Sequence, residues 1–290
     1  MLTLTQSAGV KGSAGEPLPT VWEGLKDAGA IFRRGQLALI AAGPGVGKSA
    51  LVLSYALRAK VPCMYFSADS DAYVQLSRSL AILGGMNMQE ANSMALNPDH
   101  DTIAGVVGQV PVRFSYNPSP TLKAISTQVL AYEELYGDYP ELIVVDNALD
   151  VVMEGGDIDQ SQSLDALMAW LHDLARETQA CVIVLHHVTG PYNDANQPIP
   201  LSGVKGQIGR VPEMILTLHK QIGGYGEIDE LRVSVVKNRG FKADPTGSSF
   251  ATLDFDGFSM KIEDALSLAD GFDDPFEDTY RRDEELWTMQ

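Results

Sequence analysis

Residues 43–50 place three glycines, a lysine and a serine at the point where a strand-like run gives way to a helical one. The segment consists of Gly43, Pro44, Gly45, Val46, Gly47, Lys48, Ser49 and Ala50. Glycines let backbone amides approach an anion closely, and a helix N-terminus together with a lysine supplies positive charge. A serine hydroxyl in this position suits Mg²⁺. The segment predicts a phosphate-binding loop for ATP and Mg²⁺.

The usual pattern for such a loop, GxxxxGK[ST], is met except at its first position, where Ala42 replaces glycine. A chance glycine-rich turn is the alternative interpretation. The apolar run before the glycines and the amphipathic run after them both favour the phosphate-binding loop, because the loop needs a strand before it and a helix after it.

Two carboxylates follow other apolar runs. The run ELIVVD ends in Asp146, where a carboxylate at the end of a buried parallel strand would bind Mg²⁺ beside the phosphates. The run CMYFSAD ends in Asp69, a candidate general base that activates the attacking water. Asp71 is the second candidate for that role, and helix capping is the competing explanation for one of the two.

Two adjacent histidines, His186 and His187, end a third apolar run, CVIVLHH. Neighbouring residues of a strand point to opposite faces, so the pair is unsuited to bind one metal ion together. We expect one histidine to be structural. The other, assigned as His187, would sense the terminal phosphate at the end of the strand.

Cationic residues occur in two places beyond these histidines. The long polar loop that follows them carries Lys205, Gln207 and Arg210 among glycines, a composition that suits contact with nucleic-acid phosphates. A mobile surface loop is the alternative. The run RVSVVKNRG presents Lys237 and Arg239 on one side of a strand, either as exposed solubilising charges or as a finger that reaches a neighbouring subunit's nucleotide.

The pattern of apolar residues predicts an α/β fold. Strand-like runs lie at 37–41, 63–67, 111–116, 141–146, 181–186, 213–218 and 231–236. Amphipathic helical runs lie between several of them, at 49–59, 72–83, 121–136 and 162–177. This alternation predicts a mostly parallel, twisted sheet with helices on both faces. The glycine-rich turn IGGYGEIDE predicts a hairpin, so we expect an antiparallel extension at the C-terminal end.

The formal net charge of −17 argues against a protein that binds nucleic acid by bulk attraction, so any such contact requires a local groove or pore. The hydrophobic content of 45% is sufficient for a large core. No run approaches the length of a membrane span, and no signal peptide opens the chain. Cys63 and Cys181 lie in apolar runs and are predicted to be reduced core residues, which is typical of a cytoplasmic protein.

Composition divides the chain into three parts. Residues 1–20 are rich in Gly, Ser and Pro and are predicted to form a flexible arm, and residues 21–262 contain the predicted strands and helices and the phosphate-binding loop. Residues 263–290 hold ten acids against two arginines and are predicted to form a disordered tail. The aromatic residues within the tail leave two alternatives open, a docking peptide for a partner protein or a mimic of DNA.

Residues 21–262 resemble the motor domain of the DnaB-like replicative helicases, an ATPase with the RecA fold. The segments that carry the resemblance include LIAAGPGVGKSALVLSYAL, YFSADSD, VRFSYNPSPTLKAI, ELIVVDN and VVKNRGFKADPTG. That family commonly has alanine where Ala42 stands. Asp69 replaces the family's catalytic glutamate, and the histidine in VLHHVTG is similar to the RepA-type hexameric helicases.

This resemblance implies a homo-hexamer that binds ATP–Mg²⁺ between subunits and couples hydrolysis to movement along single-stranded DNA. Lys48 and the loop amides would hold the phosphates, and Ser49 with Asp146 would hold Mg²⁺. Lys237 and Arg239 would act on the neighbouring subunit's nucleotide, and the loop with Lys205 and Arg210 would contact DNA. A RecA- or RadA-like recombination ATPase and a ring-forming ATPase that loads or regulates replication proteins remain alternatives.

Overall fold

One mixed sheet of nine strands organises the chain in the computed structural model, which describes residues 5, 15–153, 160–224 and 228–265. The strands are β1 (Leu37–Ala42), β2 (Cys63–Ser67), β3 (Val112–Ser115), β4 (Leu142–Asp146), β5 (Cys181–His187), β6 (Met214–Gln221), β7 (Asp229–Asn238), β8 (Ala251–Asp256) and β9 (Lys261–Asp264). Their order across the sheet is β3-β2-β4-β5-β1-β6-β7-β8-β9.

The six strands from β3 to β6 run parallel to one another. The central strands β1, β2 and β4 are buried along their whole length, because helices cover both faces of the sheet. Parallel strands bring their carboxyl ends to one edge, and this arrangement places the residues after β1, β2, β4 and β5 close together. The predicted parallel core is confirmed.

The helices that cover the sheet are α1 (Glu23–Asp27), α2 (Lys48–Arg58), α3 (Ala72–Gly84), α4 (Met88–Leu96), α5 (His100–Val107), α6 (Leu122–Tyr136) and α7 (Gln160–Thr178). The four helical runs predicted from periodicity correspond to α2, α3, α6 and α7. Helices α4 and α5 have no counterpart among the predicted runs. They pack on α3 around a small separate cluster of Leu80, Ala81 and Ala91, so their apolar stripes are short.

The C-terminal strands form the expected antiparallel extension. Strands β6 and β7 pair as a hairpin, and β8 and β9 continue the sheet outward. The last two strands lie outside the predicted runs. Buried and half-exposed residues alternate along β8, so it has no continuous apolar run to reveal it.

Both ends of the described domain are tied to its surface. Residues 15–20, which composition assigns to the flexible arm, hydrogen-bond with residues 32–34, and Leu18 is buried. At the other end, the Asp264 carboxylate accepts hydrogen bonds from the backbone amides of Glu23 and Gly24. Residues 266–290 of the predicted acidic tail lie outside the described residues.

The two cysteines are free and buried, as predicted. Within the described ranges, no helix is long and apolar enough to cross a membrane.

Candidate functional site

The glycine-rich segment forms a loop between β1 and α2 at the carboxyl edge of the sheet. Gly45 and Gly47 have positive φ angles of 74° and 118°, which residues with a side chain rarely adopt. A Cβ atom on Gly43 would lie 2.1 Å from the carbonyl oxygen of Asn193. Glycine is therefore required at all three positions, twice for conformation and once for space.

Ala42, the departure from the usual loop pattern, is the last residue of β1 and pairs with His187 and Leu218 on the neighbouring strands. Its backbone is part of a regular parallel ladder. An extended backbone accepts any residue, so alanine is compatible with the loop that follows.

Lys48, the first residue of α2, is buried beside the loop. Its Nζ donates to the carbonyl oxygens of Ala42 and Gly43 at 3.2 and 3.1 Å. Burial lowers the pKa of Lys48, and the nearby charges of Asp146 and Asp69 oppose that shift. The only described hydrogen bonds of the Lys48 ammonium are thus to these two carbonyl oxygens, and the oxygens of a phosphate can take their place.

Asp146 ends β4 and is almost completely buried. Its carboxylate accepts hydrogen bonds from the Tyr65 hydroxyl, at 3.0 Å, and from the Ser49 side chain. Burial raises the pKa of Asp146, while these two donors and the charge of Lys48 lower it. Ser49 and Asp146 therefore present two adjacent oxygen ligands, the donor type that Mg²⁺ prefers.

The structure separates the two candidates for general base. The Asp71 carboxylate accepts the Val74 amide at 2.9 Å and caps the N-terminus of α3. Asp69 is exposed and lines the same cleft as Lys48 and Asp146. The capping explanation thus belongs to Asp71, which leaves Asp69 free to act in the cleft.

The two histidines face different surroundings, as their alternation along β5 predicts. His187 lines the cleft, and its pKa is lowered by burial and by the charges of Lys48 and Lys205. His186 is fully buried, and its Nε2 lies 3.0 Å from the carbonyl oxygen of Lys205. Burial lowers the pKa of His186 to about 4.

The loop, Asp69, Asp146 and His187 surround one cleft of about 530 Å³. Residues that sequence reasoning missed complete its walls: Arg78, Asn147, Lys220, Phe255, Gly257 and Met260. The Phe255 ring lies 3.5 Å from the position of a Cβ on Gly47, and the Lys220 ammonium lies 5.0 Å from the centre of that ring. Most of these residues come from late strands and turns, and only the tertiary fold brings them to the loop.

The predicted nucleic-acid residues do not form one patch. They lie along a 3₁₀-helical segment, Lys205–Arg210, which spans about 10 Å. Lys205 is exposed and near the two histidines, whereas Arg210 is exposed and bridges to Asp165 at 3.3 Å. The Gln207 side chain lies outside the described residues.

Lys237 and Arg239 lie side by side at the end of the sheet opposite to the cleft, where β1 begins. Lys237 Nζ donates to the carbonyl oxygens of Gly209 and Arg210, and Arg239 also donates to the Arg210 carbonyl. The backbone amide of Arg239 bonds to Glu213, level with the first residue of β1. Since β1 has six residues, about 20 Å of strand separates Arg239 from the glycine loop. The pair therefore does not reach its own cleft.

The family of DnaB-like helicase C-terminal domains matches residues 18–245, which include the glycine loop, both carboxylates, the histidines and the Lys237–Arg239 pair. The chain belongs to this family. The DnaB-like domain starts close to Leu18, where the described chain first becomes buried.

Two phage proteins are similar to this DnaB-like chain over nearly their whole length. The Gene 65 protein of Mycobacterium phage L5 is 53% identical over 266 residues, covering 91% of this chain and 99% of that protein. The Gene 65 protein of Mycobacterium phage D29 is 53% identical over 230 residues, covering 79% of this chain and 99% of that protein.

Solved structures share the RecA fold of the DnaB-like domain. One, a separately solved ATPase domain, superimposes with a TM-score of 0.74 at 14% identity, covering 90% of this chain and 96% of that one. A DnaB-like replicative helicase, studied with its interactions with primase, gives a TM-score of 0.72 at 15% identity and 89% coverage of this chain. The present chain spans 63% of that helicase chain.

Proposed function

We propose that this chain is the ATP-hydrolysing motor of a hexameric DNA helicase that uses Mg²⁺. The observation that carries the proposal is the cleft in which Lys48, the Ser49–Asp146 pair and Asp69 meet. The donor set suits a triphosphate with Mg²⁺: backbone amides and an ammonium for the phosphates, a hydroxyl and a carboxylate for the metal ion. Bound Mg²⁺ would neutralise phosphate charge and polarise the bond that breaks.

Within the cleft, each residue has a distinct task. Lys48 exchanges its two carbonyl partners for phosphate oxygens when the nucleotide binds, and Ser49 and Asp146 hold the metal ion. Asp69 orients the attacking water and accepts its proton. His187, neutral near pH 7 because its pKa is lowered, donates a hydrogen bond to the terminal phosphate.

The adenine base would lie along the wall of Lys220, Phe255 and Met260. Phe255 offers an aromatic face beside the loop, and Met260 packs between the sheet core and the small helical cluster. A flat aromatic base stacks on such a ring, and stacking is worth about 1 kcal/mol beyond the area it buries.

The position of Lys237 and Arg239 supports a ring. A finger that lies about 20 Å from its own glycine loop acts only on a nucleotide held by another subunit. Rings close when this head-to-tail contact repeats around a rotation axis. We assign the pair to hydrolysis in the neighbouring subunit, and the Lys205–Arg210 segment, which it holds, to contact with single-stranded DNA.

The family and the phage relatives support a role in DNA replication inside an infected bacterial cell. The proposed partners are single-stranded DNA, further copies of this chain and a replication protein that binds the acidic tail.

The test is an unwinding assay on forked duplex DNA with ATP and Mg²⁺, run beside a measurement of phosphate release. We expect the wild-type chain to unwind the fork and Lys48→Ala to lose both activities. Lys123→Ala is the matched control, since Lys123 is an exposed lysine of α6, away from the cleft. Phosphate release without unwinding would contradict the helicase assignment, and absence of both in the wild type would contradict the ATPase assignment.

A further inference from the structure

Arg78 is a positively charged residue of the cleft that belongs neither to the glycine loop nor to the Lys237–Arg239 finger. It lies in α3, two turns after the Asp71 cap, and is half-buried in the wall that also contains Asp69 and Lys48. The helix therefore directs a guanidinium from the β2 side of the sheet towards the phosphate-binding loop.

Among the described residues, the Arg78 guanidinium forms no ion pair. Its one side-chain hydrogen bond is to the Ser70 hydroxyl, at 3.4 Å, the long limit for such a contact. Lys220 of the same cleft is satisfied differently, since its ammonium lies 2.5 Å from the Asp229 carboxylate. A half-buried guanidinium with one weak contact has most of its five donors available for an anionic ligand.

The neighbours of Arg78 place it at the acidic end of the cleft. Ser70 directly follows Asp69 in the chain. Burial and the charge of Asp146 raise the pKa of Tyr65, whose hydroxyl donates to Asp146, and the nearby charge of Arg78 opposes that increase. These are the carboxylates assigned to the attacking water and to Mg²⁺, which both lie at the terminal phosphate.

The charges of the residues that line the cleft also support a role for Arg78 at the end that holds the terminal phosphate. The Lys220 charge is already paired with Asp229, and Lys48 alone does not compensate the two carboxylates Asp69 and Asp146. Without Arg78 these three groups would therefore present a net negative charge to an incoming polyanion. With Arg78 the four charged groups are balanced. An arginine at this position makes the terminal-phosphate end of the cleft neutral before the nucleotide arrives.

We propose that Arg78 binds the terminal phosphate of ATP in its own subunit and gives the site its preference for ATP over ADP. The inference rests on the proposed nucleotide-binding function. The guanidinium donates to phosphate oxygens that ADP lacks, whereas Lys48 and the loop amides serve both nucleotides. Arg78 thus complements, from within the subunit, the finger that Lys237 and Arg239 extend from the neighbour.

The test is equilibrium binding of a fluorescent non-hydrolysable ATP analogue and of fluorescent ADP, each with Mg²⁺. We expect Arg78→Ala to weaken binding of the ATP analogue about 10- to 100-fold and binding of ADP less than about 3-fold. Arg78→Lys should recover part of the loss, because it restores the charge without the fork of donors. Arg113→Ala is the matched control, since Arg113 lies on β3 and bonds to Tyr136, outside the cleft.

Equal losses for the two nucleotides, or no loss for either, would overturn the role of Arg78. Arg78→Met, which keeps the apolar stem, provides a second variant if alanine reduces the melting temperature. Binding measured with the wild type and with Lys48→Ala distinguishes failure of the Arg78 assignment from failure of the proposed nucleotide-binding function. If the wild type binds neither nucleotide, the nucleotide-binding function itself is wrong; if it binds both and Arg78→Ala behaves identically, only the Arg78 assignment fails.

Discussion

His186 Nε2 donates a hydrogen bond to the carbonyl oxygen of Lys205 across 3.0 Å, while the next residue, His187, lines the nucleotide cleft. A carbonyl oxygen only accepts, so Nε2 carries the proton and Nδ1 is the unprotonated nitrogen, which has no described partner. Two consecutive residues of β5 thus contact the proposed nucleotide site on one side and the proposed DNA-binding segment on the other.

Replacing His186 with leucine should weaken binding of single-stranded DNA several-fold and lower the free energy of unfolding by about 1 kcal/mol. The cause is loss of the donor that fixes the Lys205 backbone, whereas phosphate release without DNA should change little. His219→Leu is the matched control, because His219 is equally buried and neither of its ring nitrogens has a described partner. Fluorescence anisotropy and urea denaturation measure the two effects; equal DNA affinity in both variants would contradict the positioning role.

Asp69 and Asp71 provide a matched pair for the general base. Asp69→Asn should reduce phosphate release about 100-fold or more and leave nucleotide binding intact, because the amide does not accept the proton of the attacking water. Asp71→Asn should retain activity, since asparagine is an equally good helix cap. A single-turnover assay at saturating ATP measures both, and comparable activity of the two variants would show that Asp69 is not the base.

The glycine loop, the parallel core and the positions of the site carboxylates were predictable from the sequence, because each depends on local patterns of apolar residues and glycines. Ala42, which stands where the usual loop pattern has glycine, is a strand residue and needs no glycine. The β6–β7 hairpin was predictable from its glycine-rich turn.

The remaining parts depend on contacts between residues far apart in the chain. Arg78 and Phe255 look like ordinary helix and strand residues, and only the folded sheet brings both to the loop. The distance between Arg239 and its own cleft depends on the direction and register of β6 and β7. The spacing of residues in the sequence does not predict either of them. The choice between Asp69 and Asp71 needed the hydrogen bond that makes Asp71 a cap.

His187 is expected to tolerate glutamine better than alanine. The imidazole is neutral near pH 7 because burial and two nearby lysines lower its pKa, so its proposed contact with phosphate is a neutral hydrogen bond that an amide can replace. His187→Gln should stay within about tenfold of the wild-type turnover rate, and His187→Ala should fall below that range. Steady-state kinetics measure the turnover rates of both variants, and equal reductions in the two rates would contradict the hydrogen-bond explanation.

The pH dependence of turnover should report on Lys237. Burial and the charge of Arg239 lower its pKa to about 8, so the ammonium loses its charge as the pH rises through that value. If the charge acts on the neighbour's nucleotide, kcat should decline above about pH 8. Lys237→Arg should abolish the decline, because arginine stays charged.

Unfolding does not explain such a decline. Between about pH 8 and 10.5 the unfolded lysine, with a pKa of 10.5, still binds the proton that the folded Lys237 has lost. The contribution of this group to the free energy of unfolding therefore rises with pH across that range, so the folded chain does not lose stability from this group as activity declines. An identical decline in Lys237→Arg would assign the titration to another group.

Arg239→Ala should abolish turnover while each subunit still binds ATP. The guanidinium lies about 20 Å along the strand direction from its own glycine loop, so its removal leaves that cleft unchanged and deprives only the neighbouring one. Because Arg239 also donates to the Arg210 carbonyl at 2.7 Å, the melting temperature is measured beside binding and phosphate release, with Arg113→Ala as the control. Normal turnover of Arg239→Ala at saturating ATP would show that no finger acts between subunits.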